Sequence, residues 1–189
     1  MTARAGDSPV LDADRIRALL VELGARLHER GLEARLFLVG GAAMALSFSR
    51  ERVTRDLDAV FEPKQEVYAA AARIARKHEL PDAWLNDAVK GLLPDRQPPI
   101  TGTGSFTAPG IQVGVASAEY LFAMKAMAAR QETDGEDLRR LQAMLGITTM
   151  EQALALVDRF YAPTRLSLKT QLILEDLLTA TAASADADD

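Results

Sequence analysis

Two short stretches carry residues whose types and spacing suit chemistry at phosphate. Gly40-Gly41 closes the apolar run Leu36-Phe-Leu-Val39, and about fifteen residues later Asp56 and Asp58 flank Leu57. A glycine pair opening a helix lets backbone N–H groups approach a phosphate, and the helix dipole favours an anion there. Two carboxylates on one strand face can share a divalent metal, which bridges phosphate oxygens and assists in-line displacement. Each half has a plainer reading: glycines that let a helix pack closely, or an acidic strand facing water. Together, with strand, helix and strand between them, they point to a metal-assisted reaction.

Elimination narrows the metal. The chain has no cysteine, which removes disulfides, thiolate zinc sites and a Cys nucleophile. Its two histidines, His28 and His78, fall at the ends of expected helices and are too few for an imidazole site. A hard cation of the Mg²⁺ type, held by Asp56 and Asp58, is what remains.

The elements that must position these residues read from periodicity. Ile16, Leu19, Leu20, Leu23 and Leu27 recur at helical steps, predicting a helix over 12–30 that stops at Gly31. Residues 34–39 read as a buried strand, 42–49 as a short helix and 50–55 as an arginine-dense connector. Residues 57–61 read as a second strand, with Asp56 and Asp58 on one face because strand side chains alternate. A helix over 64–78 follows. Residues 81–110, broken by prolines and glycines, are expected to be irregular, with short paired strands near 103–107 and 111–116. The last third reads as helices over 117–131, 134–145, 149–160 and 165–179, with Ser117 and Thr148 or Thr149 as caps. The expected fold is α+β. A small mixed sheet with packed helices spans 1–116, a C-terminal helical part spans 117–180, and 181–189 form a disordered acidic tail.

Gly40-Gly41 followed by Asp56-Leu57-Asp58 resembles the polymerase-β-like nucleotidyltransferase superfamily, whose signature is Gly-Gly or Gly-Ser and then Asp-x-Asp. The later run Lys125-Ala-Met-Ala-Ala-Arg130, with Asp134-Gly-Glu-Asp137-Leu138 after it, is similar to the AbiEii-type toxins of that superfamily, the MenT toxins of mycobacteria among them. The resemblance covers about residues 35–145. It implies a Mg²⁺-dependent nucleotidyltransferase in which Asp56 and Asp58 bind metal and Gly40 and Gly41 hold the phosphates of an NTP. Lys125 would contact the triphosphate, and Asp137 would supply the remaining acid. It also implies a macromolecular acceptor, with the tRNA 3′ end as precedent and a block of translation as the outcome, and a cognate antitoxin as partner. Two positions depart from the pattern: Gln112 lies on the strand where many members carry a third carboxylate, and Gly41 stands where many carry serine.

Other residues have two readings each. Lys125 lies in an otherwise apolar helix, so it needs an anionic partner unless it snorkels to water. Asp137 equally suits the first turn of its helix, where an acid favours the dipole. Arg50, Arg52 and Arg55 suit phosphates or surface pairs with acids such as Glu51, and Arg55, next to Asp56, is expected to meet the nucleotide. Arg73, Arg76 and Lys77 extend that patch if they face the same way. Trp84 fits packing better than base stacking, and Met124, Met127 and Met144 are expected to fill the core.

Composition bounds the rest. Hydrophobic residues make up 48% and charged residues 26%, ordinary for a soluble globular protein. No apolar run approaches the ~20 residues that cross a bilayer, and Met1 to Val10 contain no apolar signal core, so a cytoplasmic location is expected. A net charge of −5 argues against nonspecific coating of nucleic acid, so an RNA acceptor must be met by a local basic patch. A protein hydroxyl as acceptor (AMPylation) is one alternative, and a non-catalytic binding module is another. The second has no use for closely spaced carboxylates, whose repulsion costs stability.

Overall fold

The computed structural model describes residues 9–96, 101–128 and 131–185, with the backbone alone at 131–134, 164 and 180–185. The described residues divide into two compact units, one running through Gly91 and including Thr101–Ala116, the other holding Leu92 to Arg96 and the residues from Ser117 onward.

The first unit opens with α1 (Ala13–His28), whose leucine stripe is buried and whose N-terminus is capped by the Asp12 side chain accepting from the Arg15 N–H at 2.8 Å. Then come β1 (Ala34–Leu38), α2 (Gly40–Ser47), β2 (Leu57–Glu62), α3 (Lys64–His78), β3 (Leu85–Asn86), β4 (Phe106–Ala108) and β5 (Ile111–Val115). The strands form one mixed sheet in the order β3-β2-β1-β5-β4. The pairs β1–β2 and β4–β5 are antiparallel, whereas β1–β5 and β2–β3 are parallel. Leu57, Ala59 and Phe61 are buried on one face of β2, so Asp58, Val60 and Glu62 project from the other.

Helices α1 and α3 pack on the buried face. A side chain at Gly24 of α1 would lie 2.5 Å from Ile111 Cγ2 and 2.6 Å from the Pro109 carbonyl, so only glycine lets α1 approach β5 this closely. On α3, Tyr68 meets Phe61 edge to face at 5.0 Å. Trp84 is fully buried, and its indole N–H donates to the Ala71 carbonyl of α3, so it is a packing residue.

The second unit is helical: α4 (Ala118–Ala128), α5 (Gln131–Leu145), α6 (Met150–Phe160) and α7 (Leu168–Ala185). Ser117 Oγ accepts from the Tyr120 N–H, and Thr149, not Thr148, forms a capping box with Gln152. Helix α4 is buried at every position from Tyr120 to Ala126, as a sequence apolar on all sides except at Lys125 requires.

Several expectations need correction. Residues 81–110 are not wholly irregular, because β3 forms there; two residues are too few for a periodic signal. Helix α2 begins at Gly40, two positions earlier than expected. Met144 is 54% exposed and fills no core, although Met124 does. Residues 181–185, expected to begin the tail, continue α7 through alanine-rich sequence of high helix propensity. Residues 186–189, the first eight residues and Arg130 lie outside the described residues. No described helix is long and apolar enough to cross a membrane.

Candidate functional site

The end of β1, the start of α2 and the start of β2 are locked together. The Val39 N–H donates to the Asp58 carbonyl at 3.0 Å, which brings the glycine pair against the acidic strand. Gly40 has φ +60°, and a Cβ there would stand 3.1 Å from Asp58 Oδ2. A Cβ on Gly41 would stand 2.8 Å from Thr54 Oγ1. The two glycines are therefore required by different neighbours, one by its backbone and Asp58, the other by Thr54. Thr54 is held in turn by backbone bonds with Leu11 at 2.7 and 2.9 Å, and its hydroxyl donates to the Asp56 carbonyl at 3.0 Å.

Asp56 lies one residue before β2 and is exposed, whereas Asp58 is half-buried within it. Both carboxylates reach one side of the sheet. Asn86 is the in-register partner of Asp58 on β3, so its side chain shares that side, and its amide Nδ2 donates to Asp56 Oδ2 at 3.3 Å. Asn86 and Thr54 are the two site residues that sequence reasoning did not single out. The only trace of Asn86 in the sequence is a polar residue two after the tryptophan, and Thr54 reads as an ordinary connector residue.

The remaining predicted residues have the following surroundings. Arg50 and Arg55 are exposed on the connector, and Arg52 is half-buried. Lys77 bonds Glu22 of α1 at 3.1 Å, and α3 packs on the sheet face opposite Asp58, so the proposed extension of the basic patch through α3 does not form. Gln112 is level with Arg35 and Glu62, four residues along β2 from Asp58, roughly 13 Å at ~3.3 Å per residue. It therefore does not stand at the third-carboxylate position. Nearer to Asp58, β5 offers Gly114 and then Ala116 on that face. Lys125 and Asp137 belong to the helical unit, where they form a buried ion pair at 2.9 Å. That pair answers the lysine's need for an anion without a nucleotide.

Chemically, the cluster offers hard oxygen donors from Asp56 and Asp58, and no group of three or more metal-ligating side chains occurs among the described residues. Asp56 and Asp58 could hold one hard divalent cation, which would need further oxygen ligands from elsewhere. The first N–H groups of α2 have no acceptor within the helix and carry its positive dipole end.

Fold and site thus define a class: an α+β protein with a carboxylate pair seated against a glycine turn. No family model matches the chain, and no curated protein matches it. Among solved structures it is similar to the crystal structure of an antigenic nucleotidyltransferase-like protein from Paracoccidioides brasiliensis, at 13% identity and a TM-score of 0.43, over 95% of this chain and 94% of that one.

Proposed function

We propose that this chain is a nucleotidyltransferase that uses a Mg²⁺-type cation and an NTP to modify a macromolecule. The observation that supports it best is the seating of Gly40 3.1 Å, at its absent Cβ, from Asp58 Oδ2, so that the α2 N-terminus and the carboxylates border one space. Asp56 and Asp58 would hold the cation, and the N–H groups at Gly41 and Ala42 would take phosphate oxygens. Arg55, next to Asp56, would meet the nucleotide. The acceptor hydroxyl attacks the α-phosphorus, the bond to the bridging oxygen breaks, and pyrophosphate leaves. A bound cation supplies charge neutralisation and lowers the pKa of that hydroxyl.

The acceptor we favour is the tRNA 3′ end, as in the AbiEii-type toxins, with an antitoxin as partner and the cytoplasm as setting. Exposure of Arg50 and Arg55 on the connector leading to the carboxylates supports an RNA acceptor. The test is incubation of the protein with lysate and each labelled NTP, with and without Mg²⁺. Label should enter RNA only with Mg²⁺, fall steeply with salt, drop in Arg50→Ala/Arg55→Ala, and vanish in Asp58→Ala. Transfer by folded Asp58→Ala at the wild-type rate overturns the site. A labelled protein band insensitive to salt moves the acceptor to protein.

A further inference from the structure

We infer that Asn86 is a positioning residue of the carboxylate site, holding Asp56 so that both acids present to one cation; this rests on the metal-site reading above. Three observations combine. Asn86 stands beside Asp58 by strand register and bonds the carboxylate of Asp56, so β3 brings one amide to the acidic end of β2. Its orientation is set locally as well: the Ala88 N–H donates to Asn86 Oδ1 at 3.0 Å, and Nδ2, the donor to Asp56, also lies 3.5 Å from the Ala83 carbonyl. The turn carrying it is braced at the next residue, where Asp87 accepts from Lys64 at 2.9 Å and Tyr68 at 2.8 Å and pairs with Lys90. Bonds from Lys64 and Tyr68 hold the Asp87 carboxyl below the usual carboxylate range, as expected of a charged anchor.

The consequence is a division of labour at Asp56. Its Oδ2 accepts the amide N–H, which restrains the carboxylate and leaves Oδ1 to a cation. Partners of this kind orient metal ligands, and their loss commonly costs about 10–100-fold in metal affinity. A neutral amide does this without adding a third negative charge, which suits a site that must also admit a triphosphate.

Two substitutions separate this role from a structural one. Asn86→Ser keeps an oxygen able to accept from Ala88 but cannot reach Asp56, whereas Asn86→Ala loses every side-chain bond. Mn²⁺ is the probe, its free concentration read by electron paramagnetic resonance, with thermal unfolding measured alongside. Both variants should bind Mn²⁺ about ten-fold more weakly than wild type, and Asn86→Ser should melt close to wild type. Adding NTP should show kcat falling more than KM rises. If Asn86→Ser binds Mn²⁺ as wild type does while Asp58→Ala does not, the positioning role is wrong and the metal site stands. If Asp58→Ala binds Mn²⁺ as wild type does, the metal site itself fails and this inference falls with it. Should Asn86→Ala not fold, the serine variant alone decides.

Discussion

Lys125 Nζ and Asp137 Oδ2 are 2.9 Å apart, with side chains only 7% and 6% exposed. Removing either partner should cost about 3–5 kcal/mol, because an uncompensated charge stays buried. Replacing both, as Lys125→Met with Asp137→Leu, should recover most of that loss in urea unfolding, since an apolar pair of similar volume needs no desolvation. The folded double variant should keep its KM for NTP. A raised KM at full stability would return Lys125 to the triphosphate.

The glycine pair should tolerate substitution unequally and for separable reasons. Gly40→Ala meets a positive φ as well as Asp58 Oδ2, and should cost about 1–2 kcal/mol with no single compensating change. Gly41→Ser meets only the Thr54 side chain, nearest at its hydroxyl. Pairing it with Thr54→Ala should recover stability beyond the sum of the single effects in a double-mutant cycle. Strict additivity would show that the 2.8 Å contact does not limit position 41.

Glu22 gives the fold a defined acid sensitivity. Burial alone would raise its pKa, but bonds from His78 at 2.7 Å, from Arg26 and from Lys77 outweigh it and hold the carboxyl at about 2, against an ordinary 4.5. A depressed native pKa stabilises the ionised form, so the contribution is complete above about pH 4.5 and drains away as pH falls toward 2. Glu22→Gln should lower stability at pH 7 by roughly 1 kcal/mol and flatten the acid limb between those values, read by thermal unfolding against pH. An unchanged limb would assign the acid sensitivity to other carboxylates.

The sequence by itself determined the pieces whose partners are close along the chain. The leucine stripe of α1, the run ending at Gly40 and the alternation through Asp56, Leu57 and Asp58 are local patterns, because helix and strand geometry convert spacing directly into a shared face. The glycine turn and the acidic strand were legible together for that reason. So was the α+β character, since strand-like runs precede a helical third. What the tertiary structure decided is which distant side chains complete those pieces. Asn86 joins the site only because β3 pairs parallel to β2 in a register that sets it beside Asp58. Gln112 is carried away from it by the register of β5 on β1, which sets it level with Arg35 and Glu62. Lys125 and Asp137 each looked available to a ligand, and the approach of α4 to α5 makes each the other's partner, because burying one charge requires its opposite within bonding reach.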